Sequence, residues 1–331
     1  MSSAHPSALR GTIVWLLLAA ACSSSTEPTS PPGETNTNPN ATHPAGNLTA
    51  TVPVPYRPFG VALSGTTALV TQLDAAQVTR VDVAAGQVID VISVGNVPTG
   101  VAYVGSGATA AVTNQFDDNI GFIDLASRSQ TAFVTAPSTT FRVLGSSDGA
   151  HVYATASSGS LGVIALPSHQ IEASVTVGFA PNGLALSPDG KTLYVTAMGG
   201  GITVVDTRTN QVKATYSMPE TLQDIAVSPD GSELYVASES RGFVHVLNAA
   251  TGAIKTDINL GSGVFGLSMT PDGAQLYATG ASSGALWIID RANRTILKNI
   301  PVGGTPRRVA FDADGKRAVV SNEAGFVTII E

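Results

Sequence analysis

Charged residues make up only 12% of this 331-residue chain, so those that interrupt a regular pattern draw attention. An apolar anchor recurs at Val61, Val101, Val143, Leu184, Ile225, Leu267 and Val309. The residue before it is glycine at Gly60, Gly100, Gly183 and Gly266, but Arg142, Asp224 and Arg308 in the other three units. Two guanidiniums and a carboxylate at equivalent positions either bind a charged ligand or neutralise one another. Phe59, Phe141, Phe265 and Arg307 stand beside these positions. Gln72, Asp74, Asn114, Phe116, Asp117, Met198, Glu239, Arg241, Asn322 and Glu323 are expected on loops that open on the same face.

Other chemistry is thinly represented. The five histidines are His5, His43, His151, His169 and His245, with no HxH or HxxxH spacing, so no metal site is expected. There is no GxSxG nucleophile turn and no GxxxxGK phosphate loop. No catalytic set and no cofactor is expected from the sequence. The single cysteine, Cys22, leaves the chain after it without a thiol nucleophile or a disulfide.

Cys22 has a different use. Ile13 to Ala21 is an apolar run too short to span a bilayer and of the length of a signal-peptide core. Leu18-Ala19-Ala20-Ala21-Cys22 resembles a bacterial lipobox, with the leucine one position further out than usual. Residues 1–21 are therefore expected to be a signal peptide and Cys22 a lipidation site. Simple secretion is the alternative. Residues 22–46 are mostly Ser, Thr, Pro, Asn and Gly, with little apolar area to bury, and are expected to form a disordered tether.

The elements that must position the candidate residues are repeats. The anchors step by 40, 42, 41, 41, 42 and 42 residues, a period of propellers or solenoids. One unit contains Pro181-Asn182-Gly183-Leu184-Ala185-Leu186-Ser187-Pro188-Asp189-Gly190, then Leu193-Tyr194-Val195. Ser-Pro-Asp-Gly is a turn with a mechanism: Pro fixes φ, Asp bonds the following backbone, and Gly takes positive φ. Four short strands fit each unit, in the fourth at about 183–187, 192–197, 201–206 and 211–217. That is the content of a propeller blade. After Val309 only three strands remain, at about 307–311, 317–321 and 325–330. Residues 47–54 are expected to supply the fourth and close the ring. Residues 47–331 thus read as one all-β, seven-bladed β-propeller of four antiparallel strands per blade. The tyrosines at 153, 194, 235 and 277 are expected to pack between blades. The alanines at 62, 102, 185, 226 and 310 are expected near the axis.

Pro98-Thr99-Gly100-Val101-Ala102, Tyr194-Val195-Thr196 and Val204-Val205-Asp206-Thr207 resemble the repeat of the YVTN family, which includes YncE-like seven-bladed propellers. The resemblance covers about residues 47–331. It implies the fold strongly and an activity weakly, because propellers host unrelated functions. The third unit departs from the pattern, with Ser146-Ser147-Asp148-Gly149 at its turn and Ala165 in place of the usual Asp.

Three functions stay open. The first is a non-enzymatic binding or scaffold module on the bacterial cell envelope, a monomeric disc held to the membrane through Cys22. It would take a peptide, glycan or small molecule at the channel mouth through Arg142, Asp224, Arg308, Arg307, Arg57, Asn114, Glu239, Arg241 and Asn322. The second is an enzyme, such as a lactonase-type hydrolase or a quinoprotein-like protein, drawing on Asp224, Glu239 and Arg142. The third is nucleic-acid binding through a patch of Arg57, Arg142, Arg241, Arg307 and Arg308, which a net charge of −7 opposes.

Overall fold

The computed structural model describes residues 40–136 and 138–331. The signal segment 1–21, Cys22 and residues 23–39 of the expected tether lie outside them. Among the described residues no helix is long and apolar enough to cross a membrane.

Seven four-stranded antiparallel sheets form a ring of blades. Blade 4 shows the pattern: Pro181–Leu186, Thr192–Ala197, Ile202–Asp206 and Gln211–Tyr216. The alternation of the sequence explains the layering. Inner and second strands are buried on both faces, as are the central residues of third strands. Fourth strands are largely exposed at the rim. Each blade is covered by its neighbours, so most charge lies in turns, loops and edges, with Arg142, Asp224 and Arg308 on inner strands as exceptions.

The Ser-Pro-Asp-Gly turns are built as their chemistry predicts. In blade 4, Ser187 Oγ donates to Asp189 Oδ1 at 2.7 Å. The same carboxylate oxygen accepts from Lys191 N at 3.1 Å, and Gly190 closes the turn at φ +67°. Tyr153, Tyr194, Tyr235 and Tyr277 are all buried. Tyr277, for instance, meets Phe311 of the next blade edge-on at 4.9 Å.

The ring closes through its first strand. Leu48–Pro53 pairs with Phe326–Ile330, which is followed inward by Ala318–Asn322 and Pro306–Phe311. Val52 faces Val327 and Pro53 faces Phe326. Proline is tolerated there because the strand is the outer edge. Contacts with the disc begin ahead of residue 47. Thr42 N donates to Asp314 O at 2.9 Å, His43 Nδ1 lies 2.6 Å from Asp272 Oδ2, and Lys298 Nζ donates to Ala45 O at 2.7 Å.

In five blades a hydroxyl fastens the inner strand to the next. Thr71, Thr113, Thr155, Thr196, Thr279 and Ser321 are the penultimate residues of the second strands of six blades. Each accepts from the backbone N–H of the residue before the anchor, as in Gly100 N to Thr113 Oγ1 at 2.7 Å. Thr113 Oγ1 then donates to Phe141 O of the following blade at 3.0 Å. Blade 5 carries Ala237 at that place.

Candidate functional site

The inner strands are Pro58–Ser64, Pro98–Val104, Thr140–Gly145, Pro181–Leu186, Leu222–Val227, Leu267–Met269 and Pro306–Phe311. Each runs from the loop end of the axis toward the hairpin end. In six of them the pairing register shifts just before the anchor. Such bulges re-aim side chains. Here the two residues before the anchor form successive layers across the axis.

The outer layer is aromatic and cationic. Phe59 meets Phe141 at 5.6 Å and Phe265 at 5.8 Å, edge to face. These rings come from blades 1, 3 and 6, so they touch across the axis. The guanidinium of Arg307 sits 4.3 Å from the Phe265 ring centre and 5.4 Å from that of Phe59, within cation–π range. Arg307 also pairs with Glu323. Glu323 holds Arg57 as well at 2.7 Å, and Arg57 reaches Asp74 at 3.4 Å.

The next layer is a polar bar. Arg308 Nη1 of blade 7 lies 2.6 Å from Asp224 Oδ2 of blade 5, with both side chains 2% exposed. Arg308 Nη2 donates to Asn182 Oδ1 of blade 4 at 3.1 Å. Asn182 Nδ2 donates to Gln223 Oε1, and Gln223 Nε2 donates to Glu239 Oε2. Asp224 further accepts from Ile225 N and Leu267 N, both at 3.1 Å. Burial pulls the Arg308 guanidinium down to about 10, while Asp224 pushes the other way. It is therefore charged at neutral pH.

Beyond the bar the axis widens into a well of about 120 Å³. The five alanines that the repeats align, Ala62, Ala102, Ala185, Ala226 and Ala310, line it. Small side chains leave the axis open where larger ones would fill it. Leu184, Ile225, Leu267 and Val309 add apolar wall, and Arg142 belongs to the lining at the bar. At the other end the well reaches the hairpins at Pro229, Thr270, Pro271, Asp312 and Ala313, where it opens.

Besides Arg57 and Arg307, which share Glu323, the expected mouth residues separate into three groups. Arg142, Asp224 and Arg308 do converge. However, Arg308 and Asp224 are enclosed rather than displayed at a mouth, because the bulge turns them inward under the aromatic layer. Asn114 and Asn322 are buried fasteners. Asn114 Oδ1 accepts from Gly95 N at 3.2 Å, and Asn322 Oδ1 accepts from Thr305 N at 2.8 Å. Glu239 and Arg241 are exposed on the loop face, Arg241 lying 3.9 Å from Glu220.

Asn182 and Gln223 were not among the expected site residues. Their signal was present: they occupy the ring position of Phe59, Phe141, Phe265 and Arg307, two before the anchor. Blade 5 also hides a polar cluster that no local motif announces. His245 Nδ1 lies 2.7 Å from Asp257, its Nε2 lies 3.1 Å from Glu220, and Ser238 donates to the same Glu220 oxygen. Among the described residues no group of three or more His, Cys, Asp or Glu side chains has a metal-binding arrangement.

Fold and site together define a seven-bladed β-propeller with a plugged axis. No family model matches the chain, and no curated protein does. Among solved structures it is similar to hydrazine synthase of Kuenenia stuttgartiensis. The likeness has a TM-score of 0.76 at 20% identity, covering 84% of this chain and 96% of that one. At that identity the likeness is one of fold.

Proposed function

We propose that this protein is a binding or scaffold module of the bacterial cell envelope, a YVTN-type propeller anchored through lipid on Cys22. Its ligand site is the axial well rather than the loop-side mouth. The carrying observation is a concave well on the axis, ringed by five alanines and inner-strand anchors, with Arg142 in its wall and hairpin residues such as Pro271 and Asp312 at its other end. Concave apolar sites with few polar groups are the usual form of small-molecule pockets.

Binding is favoured over hydrolysis because the axial acid is already engaged. Asp224 has its oxygens on Arg308, Ile225 N and Leu267 N. Nucleic-acid binding is disfavoured by the same pairing. Arg57 and Arg307 share Glu323, Arg308 is enclosed, and Arg241 faces Glu220. No free basic stripe is left among them to contact phosphates.

A small-molecule thermal-shift screen on the wild type and on Ala226→Leu tests this reading. Compounds that stabilise the wild type are expected to lose their effect when the added branch fills the well. Hits unchanged in Ala226→Leu place the site elsewhere.

A further inference from the structure

The well also says what its ligand should look like, an inference that rests on the binding reading above. Its wall mixes apolar side chains with polar atoms, and one of its cations is only weakly compensated. Arg142 lines the well, and its Nε is enclosed with no hydrogen-bond partner among the described residues. Its Nη2 stands 3.9 Å from Asp224 Oδ1, beyond hydrogen-bonding distance. That oxygen already accepts from Ile225 N, while Oδ2 serves Arg308 and Leu267 N. Two guanidiniums therefore share one saturated carboxylate, and a net positive charge remains beside the well. The Arg142 side chain is 22% exposed and so reachable from the well, and a buried Nε–H without an acceptor favours an incoming anion. Asp312, the acid at the open end, is engaged by its own turn, accepting from Arg317 N at 3.0 Å.

We propose that the well takes a small monocarboxylate with an apolar body, its carboxylate on Arg142 and its hydrocarbon against the alanine ring. A volume of about 120 Å³ suits an aromatic ring or short alkyl chain, since a cavity of about 150 Å³ accepts benzene. The planar fork of arginine matches a carboxylate better than it matches a hydroxyl or an ammonium group.

The test uses full-length protein and three probes of one shape: benzoate, benzyl alcohol and benzylamine, followed by ligand-observed NMR. Benzoate is expected to bind with a Kd between about 10 µM and 1 mM, and more tightly than either analogue. Arg142→Gln is expected to weaken benzoate about 10-fold or more while leaving benzyl alcohol unchanged. Arg142→Lys keeps the charge without the fork and should fall between them. It also serves as the readout if Arg142→Gln fails to fold. Equal binding of benzoate and benzyl alcohol, both indifferent to Arg142→Gln but lost in Ala226→Leu, overturns the carboxylate proposal and leaves the well a binding site. If no probe binds, or if binding survives Ala226→Leu, the carboxylate proposal fails. Survival of probe binding in Ala226→Leu also counts against the well itself.

Discussion

The two ends of the axis are made by the same seven strands, a few residues apart, yet they have opposite characters. At the loop end the side chains of Phe59, Phe265, Asp224 and Arg308 fill the axis and satisfy one another. At the hairpin end alanines line it and leave it open. The difference teaches that charge placed on an inner strand need not face a ligand. A bulge turns the residues before the anchor inward, and the ring is narrow enough for Arg308 to cross it. What looked like a decorated mouth is a plug, and the accessible cavity lies behind it.

The strongest way to break this contrast is to remove the keystone. Asp224→Ala leaves Arg308 buried without its counter-charge, which costs about 3–5 kcal/mol. A fall in Tm of about 10 °C by calorimetry is expected for a domain of this size. Replacing both partners, Asp224→Leu with Arg308→Met, should recover most of that loss. A double variant as unstable as the single one would show that the bar is not an ion-pair plug.

A smaller effect is expected where glycine keeps the ring tight. A methyl on Gly266 would run into the Arg307 carbonyl oxygen of the next blade. Gly266→Ala should lose about 2 kcal/mol, read as a shift in denaturant midpoint. The same change at Gly65, which has open space around it but φ +54°, tests backbone strain alone.

The hairpin end offers a stabilising change. Burial pushes the Asp312 carboxyl above its usual range. Sister turns carry Ser187 and Ser228 there, whose hydroxyls accept the equivalent backbone N–H. Asp312→Ser should therefore raise stability modestly at pH 7, by less than Gly266→Ala lowers it. The wild-type cost is absent below the ordinary carboxylate pKa and grows as pH rises through the raised one. The gain should accordingly vanish in acid, and a pH series of melting curves checks it.

The smallest effect should come from a turn away from the axis. Asp230 is drawn down to about 2, chiefly by the Ser228 hydroxyl, with Ser232 N also donating. Its contribution is complete above the ordinary carboxylate range and is lost as pH falls toward about 2. The site is mostly solvated, so Asp230→Ala should lose no more than about 1 kcal/mol at pH 7. That difference should shrink below about pH 3.

Much of the fold was legible because it depends on local rules repeated seven times. The anchor spacing gave the blades, Ser-Pro-Asp-Gly gave the hairpins, and the missing last strand gave the closure by Leu48–Pro53. The candidate site was only partly legible. Arg142, Asp224 and Arg308 stood out as departures from glycine, and they do meet. Their enclosure, the parts played by Asn182 and Gln223, and the fastening roles of Asn114 and Asn322 follow from contacts between distant segments. Arg308 and Asn182 are joined across 126 positions, a separation at which periodicity carries no information about direction or distance.

The sequence by itself determined the number of blades, the turns that shape them and the small residues that line the axis, because each is a matter of nearest neighbours and a constant period. The tertiary structure decided which end of the axis is shut. That depends on bulges turning side chains inward and on seven strands converging until opposite charges touch, and neither can be read until the ring is closed.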